Sequence, residues 1–217
     1  MKRLLKILPL LLLAVACDRG GHKQELPYYN TPDFTPVWLS PTDKGYASIH
    51  TIAPFSFTNQ FGKIITDKDT RGKIYVANFF FTSCSAICPR MMSNMAAIQR
   101  AFGNNSRLLM LSHSVTPLID SVPVLLKYAK NHDINGKNWY LLTGNQDTIY
   151  KLARRAYFAE DATGFNKGTD EFLHTENLVL IDGKGRIRGV YNSTLALEVQ
   201  NLISHIRLLL AENGELP

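Results

Sequence analysis

Charge and cysteine are both scarce in this sequence. Only 19% of its 217 residues are charged, and no block of like charges, heptad array or collagen-like period is present. Coiled-coil, collagen-like and polyelectrolyte classes are thereby excluded. Three cysteines are too few for a disulfide-dense mini-scaffold or a four-cysteine zinc module. There is no Walker sequence, nucleophile elbow or paired-carboxylate motif. Gly183-Lys-Gly185-Arg-Ile-Arg-Gly189 has the wrong spacing for a dinucleotide fingerprint and leads into a strand rather than the helix that phosphate binding needs. The formal charge of +6 includes Lys2, Arg3 and Lys6. Without those three the balance is 21 positive against 18 negative side chains, a net +3. That is too weak and too evenly spread for a nucleic-acid binder.

Against these absences stands an apolar content of 45%, enough for a packed core. The amino terminus has a basic start followed by the apolar run 7–16. As a helix this run rises about 15 Å, roughly half of a hydrocarbon core, so it reads as a signal peptide and not as a membrane span. Leu13-Ala-Val-Ala-Cys17 is similar to the lipobox of bacterial lipoproteins, which makes Cys17 a lipidation site. The expected location is therefore the bacterial cell envelope, on its periplasmic face, lipid-anchored to a membrane. With Cys17 modified, Cys84 and Cys88 are left as the free pair.

Three stretches follow: a lipoprotein signal peptide over 1–16, a Pro-rich tether over 17–49, and a single domain over 50–212. Four prolines between 27 and 41 oppose helix in the tether, and its interleaved aromatics fit either a spacer lying on the domain or a partner-docking segment. In the domain, 53–66 reads as a β-hairpin and 73–81 as a strand covered on both faces. Helix is expected over 89–102, 123–130, 147–157 and 195–210, strand over 108–111 and 139–142, and a loop over 161–170. A closing hairpin pairs 177–181 with 186–191. This order predicts an α/β, thioredoxin-like fold, a mixed central sheet flanked by helices with an N-terminal β-hairpin extension.

The chemistry concentrates in Thr82-Ser-Cys84-Ser-Ala-Ile-Cys88-Pro89, which joins the buried strand to the next helix. That is the sheet edge where ligand sites collect. A thiol at a helix N-terminus meets partial positive charge and free amide donors, which favour thiolate. Two soft sulfurs four residues apart suit copper(I), or can close into a disulfide. A purely stabilising bridge is disfavoured, because so short a loop adds little stability. Zinc remains open but needs further ligands. Among six histidines, His174 directly precedes a strand whose start would share the cysteine edge, so it is the preferred third ligand. His113 is its competitor. Met91 and Met95 continue a helical apolar stripe and read as core.

These motifs, together with His174-Thr-Glu-Asn-Leu-Val-Leu-Ile-Asp182-Gly and Phe55-Ser-Phe-Thr-Asn-Gln-Phe-Gly62, resemble the Sco/SenC family over about 50–210. The resemblance implies a thioredoxin fold and one copper ion per chain, held by Cys84, Cys88 and His174. It further implies a copper chaperone for the binuclear copper centre of cytochrome c oxidase. The partner would be the oxidase's copper-binding subunit or another copper or thiol acceptor. Some members are implicated in thiol–disulfide exchange, so the alternative is an oxidoreductase with Cys84 and Cys88 as its catalytic, redox-active pair. A thiol peroxidase is a weaker third reading. Two departures from the family pattern stand out. Ser85 replaces a frequent proline, and Thr116 replaces an aspartate that supports the site, with Asp120 a nearby substitute.

Overall fold

The sequence puts an unbroken apolar run in the middle of the domain, and the fold is built around it. In the computed structural model, which describes residues 25–160 and 172–212, that run is strand β5. The strands are β1 (Tyr28–Tyr29), β2 (Pro36–Val37), β3 (Ser56–Asn59), β4 (Ile64–Thr66), β5 (Ile74–Phe80), β6 (Leu108–Ser114), β7 (Trp139–Thr143), β8 (Asn177–Ile181) and β9 (Ile187–Asn192). The helices are α1 (Asp67–Thr70), α2 (Cys88–Phe102), α3 (Val122–Asn131), α4 (Gln146–Arg155) and α5 (Ala196–Glu212). Seven strands form one sheet in the order β4-β3-β7-β6-β5-β8-β9, with β5, β6 and β7 parallel and the other neighbours antiparallel. This is the mixed α/β sheet of a thioredoxin-like fold, with the expected hairpin at one edge. The signal peptide, Cys17 and the expected 161–170 loop lie outside the described residues. No helix among the described residues is long and apolar enough to cross a membrane.

Every residue of β5 and β6 is buried, as strands covered on both faces must be. One face carries α2, α3 and α5 through Met91, Met95, Ile98, Leu125, Leu202 and Ile206. The other carries α4 through Ile149, Leu152 and Ala153. Polar groups under α2 satisfy one another. Ser112 donates to Asn78 Oδ1 at 2.6 Å, Trp139 Nε1 donates to Ser112 Oγ at 2.9 Å, and Asn78 Nδ2 reaches Met91 Sδ at 3.5 Å. A satisfied buried network fixes the register of the layers, because each orphaned partner would carry a full desolvation cost.

Residues read as a tether lie against the domain from Leu26 onward. Arg188 is the anchor. It donates to the carbonyls of Leu26 and Pro27 at 2.7 and 3.1 Å, and its guanidinium lies 4.4 Å from the Tyr28 ring centre. Arg186 covers Tyr46 in the same way at 4.2 Å. Cation–π contact with Arg thus accounts for Tyr28 and Tyr46, while Tyr29 sets its ring edge-on to Phe34, and Phe34 packs on Phe158.

His113 is buried completely, on the sheet face opposite Cys88. Its ring stacks on Phe79 at 5.2 Å between centres, with Phe57, Tyr157 and Phe55 at 5.4, 5.7 and 6.2 Å. Neither ring nitrogen has a hydrogen-bond partner. Sheet alternation explains this placement: Ser112 points to the α2 face, so His113 points away from it. The competitor ligand is thus separated from the sulfurs by the sheet itself. Burial depresses the His113 imidazolium to about 3, against about 6.5 in an unfolded chain. The unfolded state therefore takes up a proton that the folded state refuses, and stability falls as pH drops from about 6.5 toward 3. By linkage the loss reaches about 2 kcal/mol at pH 5. In denaturant titrations at pH 7.5 and pH 5, His113→Leu should remove most of that difference; equal pH sensitivity in both proteins would refute the assignment.

Candidate metal centre

Strand β5 ends at Phe80, and the chain reaches α2 through residues 81–87. Pro89 occupies the first turn of α2, where its missing N–H costs nothing. The turn brings the two sulfurs together. Both are free thiols, Cys84 partly exposed and Cys88 buried, and they share a hydrogen bond.

Their surroundings make them unequal. Partial burial opposes the Cys84 thiolate, but hydrogen bonds from the Cys88 thiol and from the amides of Cys88, Ala86 and Ile87 outweigh it. The Cys84 pKa is lowered. Burial raises that of Cys88, and the hydrogen bond shared with Cys84 raises it further, pushing it up to about 12. Cys84 is thus the exposed, thiolate-prone sulfur and Cys88 the protonated reserve.

The turn is held from behind by Asp120, a buried carboxylate in the loop between β6 and α3. It accepts from the Thr82 hydroxyl at 2.5 Å and the Thr82 amide at 3.2 Å, and from the hydroxyls of Ser114 and Thr116 at 2.6 and 3.1 Å. Thr116, counted in the sequence as a departure from the resembled pattern, is thus a donor to the aspartate four residues on. Tyr128 of α3 packs on Phe80 at 5.6 Å. Burial, reinforced by the nearby Cys88, Cys84 and Asp120, holds its phenol well above the ordinary range. Thr82 opens the cysteine motif without being singled out there, and Tyr128 lies in no motif. Only a helical-phase argument over Leu125, Tyr128 and Ala129 would have turned Tyr128 toward the core.

His174 lies in the stretch that leads into β8, and β8 runs antiparallel to β5, so this stretch meets the sheet at the cysteine edge. Two residues earlier, Phe172 sets its ring edge-on to Phe81 at 5.5 Å. The imidazole itself is exposed. Among the described residues no three of His, Cys, Asp and Glu converge as a metal cluster. The sulfurs are together, and the imidazole is at their edge without closing on them. The other described histidines are engaged elsewhere: His50 with the Ala156 carbonyl at 2.8 Å, His132 stacked on Tyr128 at 4.1 Å, and His205 with the Tyr191 hydroxyl at 2.7 Å. Met91, Met92 and Met95 are fully buried core residues.

The SCO1/SenC family profile matches residues 44–211. The chain belongs to the SCO1/SenC family. It is 30% identical over 158 residues to the SCO1 protein homolog of Bacillus subtilis (strain 168), covering 72% of this chain and 81% of the relative. A SCO1/SenC family lipoprotein from Bacillus anthracis str. Ames superposes with a TM-score of 0.64 at 28% identity, covering 74% of this chain and 95% of that one. Arabidopsis thaliana ScoI, solved with copper bound, gives 0.54 at 25% identity, covering 71% and 94%. BsSco, a member of the Sco family of cytochrome c oxidase assembly proteins, superposes with a TM-score of 0.62 at 27% identity, covering 74% of this chain and 94% of that one.

The unequal thiols have a direct readout. In the reduced chain at pH 7, alkylation followed by peptide mapping should label Cys84 at least about tenfold faster than Cys88, since only thiolate reacts. Equal rates would contradict the asymmetry.

Proposed function

We propose that this protein is a lipid-anchored copper-delivery protein of the bacterial cell envelope, which carries one copper ion and passes it to the copper-binding subunit of cytochrome c oxidase or to another thiol-bearing acceptor. The observation that carries the reading is the paired Cys84 and Cys88 thiols at the N-terminus of α2, with His174 at the same sheet edge. Copper is the cargo. Cys84 and Cys88 hold it as thiolates, soft donors that suit copper(I), and His174 adds an imidazole nitrogen. The exposed imidazole is the ligand that joins last and leaves first, so the site opens without exposing the buried Cys88 sulfur. Delivery proceeds by stepwise ligand exchange, with each acceptor thiol replacing one protein ligand before the next departs. The pair must be reduced beforehand, because a disulfide offers no thiolate. Cys17 carries the lipid, a reading supported by its lipobox and by the B. anthracis relative's description as a lipoprotein.

A second reading is favoured by the thiol asymmetry: a thiol–disulfide oxidoreductase in which Cys84 attacks a target disulfide and Cys88 resolves the mixed species. It has no use for His174. Copper titration of the reduced chain separates the two. Copper delivery predicts one ion per chain, lost in Cys88→Ala and weakened by more than about tenfold in His174→Ala, a loss of at least 1.4 kcal/mol. Absence of copper binding in reduced wild type, or undiminished binding in Cys88→Ala, would overturn it. Full retention of both affinity and physiological activity in His174→Ala would favour the oxidoreductase.

A further inference from the structure

The cysteine turn has no secondary structure of its own between β5 and α2, and the described contacts show what holds its entrance. Thr82, two residues before Cys84, gives both its amide and its hydroxyl to Asp120. The carboxylate is locked in turn by Ser114 at the end of β6 and by Thr116 just beyond it. Thr116 also closes the loop on itself, accepting the amides of Ile119 and Asp120 at its carbonyl, both at 2.9 Å. A buried carboxylate with four donors is a rigid bracket, because its acceptor sites are filled and each loss leaves a polar group unsatisfied. It spans two sheet strands, so it fixes the start of the cysteine turn relative to β6. The far end of the turn is fixed separately, by α2.

We propose that Asp120 is a positioning residue for the thiol pair. By clamping Thr82 it holds the cysteine turn over the N-terminus of α2, where free amide donors favour the thiolate, and so it sets the balance between dithiol and disulfide. This rests on the preceding reading only in taking Cys84 and Cys88 as the reactive pair. The clamp works through hydrogen bonds and not through net charge. Asp120→Asn keeps the shape and an acceptor oxygen, and its amide can donate to the Thr82 hydroxyl, which accepts as well as donates. Asp120→Ala removes the bracket altogether.

The test is the glutathione redox equilibrium of the full chain. In that reaction two glutathione thiols give two electrons and two protons to the Cys84–Cys88 disulfide. One S–S bond breaks and one forms in glutathione disulfide. Loosening the turn removes amide donors from the reduced form, so Asp120→Ala should shift the equilibrium toward the protein disulfide by about threefold to tenfold, the scale of one hydrogen bond. Asp120→Asn should stay within about twofold of wild type. Thr82→Val should shift it in the same direction, and combining it with Asp120→Ala should add nothing further, the non-additivity of a shared network. The proposal is overturned if folded Asp120→Ala matches wild type, if Asn and Ala shift equally, or if the double variant is additive. Should Asp120→Ala fail to fold, Thr82→Val with Asp120→Asn still decides it, since Thr82→Val keeps the carboxylate and its other donors. A wild type that binds no copper while this equilibrium still moves as stated ends the copper reading and leaves the clamp standing.

Discussion

The N-terminal amides of α2 are the interaction on which the site depends. With the amides of the turn just before the helix, they favour the thiolate of one sulfur in a place where burial alone would have raised both pKa values. They can do so only because α2 is seated at a fixed height on the sheet. The seat is the Asn78, Ser112 and Trp139 network beneath Met91, together with the apolar stripe of α2 against β5. Core packing and thiol chemistry are thus one problem in this molecule. A shift of α2 by a single turn would move the helix N-terminus about 5 Å and take its support away from Cys84.

The unequal thiols serve both proposed chemistries for the same reason. A ligand pair that must release its cargo needs one sulfur that an acceptor can approach and one that it cannot. A disulfide exchanger needs one attacking and one resolving sulfur. Partial exposure of Cys84 and burial of Cys88 supply both, so the cysteines alone do not separate the functions. His174 does. Thiol exchange has no use for an imidazole at the sheet edge, while a third neutral donor completes a coordination shell for a soft cation.

Much of this was legible in the sequence, because it rests on periodicity. The apolar run of β5, the stripe of α2 and the two hairpins appear within a few residues of where pattern and turn chemistry put them. The parallel strand pairing followed from their alternation with helices. Other features were less legible. α1 is one short turn, held where Asp69 accepts from the Thr66 amide and hydroxyl, too brief to show a period. The proline-rich segment reads as a spacer until Arg188, some 160 positions away, is seen to hold it; no local pattern encodes that contact. His113 and His174 both sit at the end of a strand in the sequence. Only the two-residue alternation of β6, counted from a known neighbour, sends His113 into an aromatic cage on the far face.

Asp120 shows a different limit. A comparison of positions registers Thr116 as the loss of an acidic group from the loop after β6. In three dimensions the loop carries a buried carboxylate four residues later, Asp120, and Thr116 is one of the donors that hold it. What the turn needs from this loop is an acceptor at Thr82, and chain position matters only so far as it delivers one. The cysteine turn is consequently held at both ends, by a carboxylate at its entrance and by helix amides at its exit, while the imidazole opposite remains the part of the site with no such restraint among the described contacts. That division suits a carrier. In the proposed carrier the two sulfurs would keep their geometry between loads, and His174 would be the ligand that joins and leaves.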